Sequence, residues 1–244
     1  MTLREMAGRG EPWEPFLLKE SGLPGPRGNL ELAAAVADEG SAELFHALVD
    51  EPVPEAESSN TREEFLVVCG LVGLGRLLAE GRRDVLPILR RYASDTHWRS
   101  REGIAMALQR WGDADRHGLL SEMRSWAAGN RYEQRAATAA LCEPRLLDDP
   151  DVVSGVLDLL DGITVSLVAA ADRREDGFRV VRQALGYGWS VAVAAAPGPG
   201  KAAMERWLAS EDPDVRWVMT ENLKKNRLVR VDPEWVAAWR ARRH

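Results

Sequence analysis

The chain of 244 residues carries 45% hydrophobic and 29% charged side chains, enough apolar material for a real core and too much for a disordered polymer. A net charge of −6 argues against a generic polyanion binder, and two cysteines, Cys69 and Cys142, exclude a disulfide scaffold and a four-cysteine zinc site. No apolar run approaches the ~18 residues of a membrane helix, and residues 1–10 have no apolar signal core, so a soluble cytoplasmic protein with no membrane partner is expected.

Residues 1–29 contain Pro12, Pro15, Pro24 and Pro26 with five glycines, which predicts an irregular N-terminal arm. The arm closes in a rigid turn over residues 23–29, and a helical pattern follows over 30–49. Residues 51–60, with Pro52, Pro54 and three acids, read as a mobile loop. An apolar helix over 63–79 carries Gly70, Gly73 and Gly75; with no strand before them they mark close helix contact rather than a dinucleotide loop. Further helical patterns run over 84–92, 115–127, 151–171 and 201–209. Residues 162–171 and 190–196, rich in Val, Ile and Thr, are the only strand-like stretches. Asn60-Thr61, Ser94-Asp95, Gly129-Asn130, Asp149-Pro150 and Asp212-Pro213 each offer a capping oxygen before a periodic run. Residues 231–244 predict a basic C-terminal cap helix, with Asp232 capping, Pro233 at the first position and Arg240, Arg242 and Arg243 opposing the dipole.

Charge is polarised. Residues 1–60 hold twelve acids against four bases, and residues 214–244 hold eight bases against four acids. Of 32 basic residues 28 are arginine, the side chain suited to partly buried, bidentate pairing.

A pattern recurs down the chain. Arg101 is followed at +3, +4 and +7 by Ile104, Ala105 and Leu108; Arg135 by Thr138, Ala139 and Cys142; Arg182 by Leu185, Gly186 and Trp189; Arg216 by Met219, Thr220 and Leu223. Arg62 opens a fainter copy, and the separations are 39, 34, 47 and 34 residues. Asn60, Asp95, Asn130, Asp176 and Asp212 precede the five arginines by two to six residues. Helix pairs at such a period predict stacked hairpins, because one pair cannot bury its apolar stripe alone. The arginines then sit on the buried stripe, tied by the acids or amides of the same or the next pair. The 47-residue step implies an insertion or a distorted helix around residues 150–190.

These pairs resemble HEAT repeats, most closely at Ala93-Ser-Asp95-Thr-His-Trp98-Arg-Ser-Arg101 and Ser210-Glu-Asp-Pro-Asp-Val-Arg216. The resemblance covers roughly residues 30–230 and implies an all-α, right-handed α-solenoid of about five HEAT-like helix pairs, a superfold used mostly for binding. In such stacks the second helices line the concave surface. On a helical wheel the side away from the core carries Arg99, Met106, Arg110, Glu133, Tyr187, Glu221 and Lys225, with Trp217 at its edge, and these are the candidate binding surface.

No catalytic constellation competes. Pro197-Gly-Pro-Gly-Lys201 lacks the glycine and hydroxyl of a phosphate loop and reads as a breaker between helices. The histidines are not spaced to share a metal with each other or with cysteine, and no cofactor is expected. Five Arg-Trp neighbours, among them Trp98-Arg99 and Arg216-Trp217, read as packing with arginine stems over indole rings. The expected function is therefore a non-catalytic repeat scaffold whose concave face binds a macromolecular partner, a protein first. The alternative is a DNA binder, since HEAT-like folds include alkylation-repair DNA glycosylases; Trp111 with Asp115, and Trp189 or Trp217, would supply the base pocket. A third, an enzyme acting on a bound chromophore, has no residue to single it out.

Overall fold

A computed structural model describes residues 3–51 and 60–242. Residues 52–59 of the expected mobile loop, and Arg243, lie outside the described residues. The fold is all-α, with no strand among the described residues. Contacts divide the chain into two compact units, Met1–Ala114 and Asp115–His244, and the expected 30–230 domain spans both.

The first unit holds α1 (Leu3–Arg9), α2 (Glu14–Glu20), α3 (Leu30–Glu39), α4 (Ala42–Val49), α5 (Arg62–Ala79), α6 (Leu86–Ala93) and α7 (Trp98–Ala114). The N-terminal arm is thus more ordered than its prolines suggest. Pro15 sits in the first turn of α2, where no amide hydrogen is required. Central to the unit is α5, started by a capping box between Thr61 and Glu64 and packed against α2, α3, α4 and α7. Its glycines allow the approach expected of them. A Cβ on Gly70 would lie 2.7 Å from Val49 Cγ2, one on Gly73 would fall inside the Phe45 ring, and one on Gly75 would overlap the Ala107 backbone.

The second unit holds α8 (Arg116–Ala127), α9 (Arg131–Leu141), α10 (Pro150–Val168), α11 (Asp176–Ala195), α12 (Pro197–Leu208), α13 (Pro213–Leu223), α14 (Asn226–Val231) and α15 (Pro233–Ala241). Here α8 packs on α10 and α10 on α12, while α9 packs on α11 and α11 on α13, so three successive hairpins lie in two layers. Side chains of Asn130, Asp149, Asp212 and Asp232 cap α9, α10, α13 and α15. Buried Asn222 ties the second layer together, donating to Leu185 O at 2.8 Å and accepting from Ser190 N at 2.7 Å.

Three local expectations change. The strand-like stretches 162–171 and 190–196 lie largely in α10 and α11, where apolar neighbours on several sides override β propensity. The 47-residue step reflects the length of these two helices, 19 and 20 residues, with the connection between them. Residues 197–201 are no breaker loop: they form the first turn of α12, and its prolines occupy positions whose amide hydrogens a helix leaves unpaired.

Gly73→Ala tests the close approach. Alanine gains up to ~1 kcal/mol in helix propensity, but overpacking against a fully buried ring costs about 1–3 kcal/mol. A lower urea midpoint is therefore expected despite the better helix former.

Candidate functional site

A partly enclosed cleft lies in the first unit, between the turn over residues 23–29 and the N-terminal halves of α5 and α7. Its volume is about 230 Å³. Buried Leu23, Phe65 and Val68 form its floor, and half-buried Leu30 and Met106 flank them. Trp98, at 42% the most exposed aromatic side chain described, stands at the mouth with Arg27 and Glu102.

Local chemistry fixes each wall. Gly22 takes the left-handed conformation (φ +75°) that sends the chain into the turn. Ser21 O accepts from Asn29 N at 2.8 Å, and the Asn29 side chain caps α3 through Leu32 N at 3.1 Å. Arg62 Nε donates to Leu23 O at 2.9 Å, pinning the turn to α5. Arg99 pins it to α7: its Nη2 donates to Gly25 O at 3.0 Å and to Asn60 Oδ1 at 2.7 Å.

Arg99 is 8% exposed, which corrects its expected place on an outward face. The turn over residues 23–29 covers the start of α7, so a position pointing away from the α5–α7 contact is still enclosed. Beneath it Glu64, 1% exposed, brings Oε2 to 3.7 Å of Arg99 Nε. That distance is ion pairing without a hydrogen bond, and Nε–H has no acceptor. An unmet buried donor of this kind costs about 1–3 kcal/mol.

Met106 joins Arg99 at the cleft. Arg110 belongs to the same unit but is ion-paired with Asp38. The other surface candidates lie in the second unit. Glu133 is in the first turn of α9, and Tyr187 is half-buried on α11. Trp217 rests against Gly186, with the Arg182 guanidinium 3.9 Å above its ring. Glu221 pairs with Lys224 at 2.5 Å, and half-buried Lys225 precedes α14.

The five arginines expected to form a buried ladder sit in unlike environments. Arg62 is exposed and reaches a carbonyl. Arg101 is half-buried and donates to the carbonyls of Asp95 and Thr96, while the Asp95 carboxylate accepts from His97 N at 2.6 Å. Arg135 is half-buried on α9, behind the Asn130 cap. Asp176 pairs with Arg179, not Arg182, and Arg182 instead meets Asp214 at 2.9 Å. Asp212 is held by Arg173 at 2.6 Å, and Arg216 is exposed. Ties at the repeat distance therefore exist, 39 residues apart for Asn60–Arg99 and for Arg173–Asp212, but other arginines make them.

The aromatics named for a base pocket belong to the fold. Trp111 and Trp189 are buried, Trp189 Nε1 donates to Thr164 at 3.1 Å, and Asp115 caps α8. Both thiols are buried; desolvation pushes Cys142 up to about 12 and Cys69 further. Among the described residues no cluster of His, Cys, Asp and Glu is placed to hold a metal ion, and no helix is long and apolar enough to cross a membrane.

A second, more open groove of about 460 Å³ lies in the second unit between the end of α8 and α10. Gln134 and Ser166, both hydrogen-bonded to Arg131, line it, and exposed Val165 lies one residue from Ser166 on α10.

The sequence names Trp98 and the 23–29 turn but does not bring them together with Phe65 and Val68 as a site. One signal was readable: Trp98, Glu102 and Met106 are spaced i, i+4, i+8 and share a face of α7. Comparison with protein-family models, with curated proteins and with solved structures gives no match to this chain. Its class rests on its own fold, an all-α protein of two compact helical units.

Two outcomes check this assignment of charges. Arg99→Met removes the cation facing buried Glu64 and the donor to Gly25 O and Asn60 Oδ1, and should cost about 3–5 kcal/mol, whereas Arg101→Ala frees two carbonyls within reach of water and should cost about 1 kcal/mol; urea midpoints rank the two. For Asp212, burial opposes the charge, but the Arg173 hydrogen bond and the α13 amides outweigh it and hold the carboxyl below its ordinary range. A depressed folded value means its stabilisation is complete above the unfolded value of about 3.9 and is lost as pH falls through the folded one. Asp212→Asn should lower the urea midpoint at neutral pH, and the gap from the parent chain should narrow and close as pH falls below the ordinary carboxylate range.

Proposed function

We propose that this chain is a non-catalytic binding protein of the HEAT-like helical-repeat type, and that its first unit engages a protein partner through the cleft beside Trp98. The observation that carries this reading is the cleft itself: apolar, held by hydrogen bonds on three sides, with an exposed tryptophan at its mouth. Preorganised apolar concavities with an aromatic anchor are where interface energy concentrates. The repeat type is supported by the layered hairpins of the second unit and by polar ties at repeat-like separations. Cytoplasmic residence agrees with two cysteines kept as free, buried thiols.

Immobilised full-length chain should retain a protein from a cytoplasmic extract, and Trp98→Ala, which removes an exposed ring and its 4.4 Å stacking on the Arg99 guanidinium, should abolish that retention while lowering the urea midpoint only slightly. Retention that vanishes on nuclease treatment, or affinity for duplex DNA that falls steeply with salt, overturns the reading in favour of nucleic acid.

A further inference from the structure

The Arg99 guanidinium, at the cleft wall, has spare donors but no spare charge. Its side chain is nine-tenths buried, and its hydrogen bonds to Gly25 and Asn60 both leave from Nη2. Nε–H meets no acceptor, and Nη1 lies at the Gly28 wall, 3.8 Å from where a Cβ on that glycine would stand. The charge itself is answered by Glu64, buried on the other side. The second cation at the cleft, Arg27, is also paired, with Glu31 at 3.3 Å. An entering carboxylate would meet cations already neutralised and would place a second negative charge near buried Glu64, with poor solvation to relieve it. A neutral carbonyl oxygen would accept from Nη1, at the Gly28 wall, without that penalty, while Nε stays buried against Glu64 and out of its reach.

The rest of the cleft specifies what must accompany the oxygen. Phe65, Val68, Leu30 and Met106 offer only apolar surface, and the Trp98 ring stands at the mouth. About 230 Å³ holds roughly eight water-sized groups, the bulk of one large side chain. We infer that the cleft binds a compact, uncharged apolar group with an adjacent carbonyl oxygen, the oxygen accepting from Arg99. This rests on the partner reading above, in which the group is an apolar side chain of the partner and the oxygen its main-chain carbonyl. The same chemistry in a free neutral amide would bind the same way.

The probes are N-acetyl-phenylalaninamide, its carboxylate analogue N-acetyl-phenylalanine, and acetamide, titrated into the full-length 15N-labelled chain. The neutral amide should saturate, move the Arg99 Nη–H cross-peaks, and bind about tenfold more tightly than the carboxylate or acetamide. Trp98→Ala should weaken it several-fold with the fold intact by circular dichroism. Equal or tighter binding of the carboxylate, stationary Arg99 Nη–H cross-peaks, or indifference to Trp98→Ala overturns the inference. Binding of the amide without any Trp98-dependent protein retention supports the site, points to a free small molecule and defeats the partner reading. Trp98-dependent retention of a protein with no amide binding does the reverse.

Discussion

The first unit depends on one buried guanidinium. Arg99 joins α7 to two segments far away in sequence: Gly25 in the turn before α3, and the start of α5 through Asn60 and Glu64. Each contact alone is modest, but a charged donor inside the protein makes them mutually dependent, since removing any one leaves charge or carbonyl unanswered. The cleft is a by-product of this arrangement. The turn must stand off from α5 and α7 far enough to present carbonyls to Arg99, and the space left over is lined by whatever apolar side chains those helices already bear.

A second constraint is backbone proximity. Gly70, Gly73 and Gly75 let α4 and α7 approach α5 more closely than any side chain would allow. Close approach keeps α5 almost wholly buried, and that burial forces Glu64 to find a cation. The arginine bias follows the same physics elsewhere in the chain. Arg83 lies 4.4 Å over Trp111 and Arg182 3.9 Å over Trp217, so the stems cover rings while the heads reach polar groups.

Helix identity and most caps were legible in the sequence because they are local. Thr61, Asn130, Asp149, Asp212 and Asp232 each cap the helix that follows, as their spacing predicts. The phase of the arginine ladder was not legible. Arg99 and Arg101 are two positions apart, on nearly opposite faces of α7, and the core pattern at Ile104, Ala105 and Leu108 favours Arg101. What decides the matter is the 23–29 turn, some seventy residues earlier, which encloses Arg99. Asp176 failed for a related reason. The supposed insertion is extra helix, so Arg182 is carried to Asp214 on the next hairpin rather than back to its own helix start. The cleft residues were hidden because they come from three segments, and only the Trp98, Glu102 and Met106 face left a local trace.

The size of the cleft bears on the role proposed for it. At about 230 Å³ it falls below the roughly 300–1,000 Å³ of sites that enclose drug-sized ligands. A group that small gains limited free energy from burial alone, so selective binding has to draw on preorganisation and on contacts outside the cleft. Preorganisation is present, since the turn is pinned by Arg62 and Arg99 and shaped at Gly22, leaving little ordering to be done on binding. Contacts outside are what a macromolecular partner brings and a free small molecule does not. The same geometry that makes the cleft a weak container suits it to the proposed role of an anchor point: one apolar group seated under Trp98 and one carbonyl on Arg99 would fix a partner's register, and the surrounding surface would have to supply the remaining affinity.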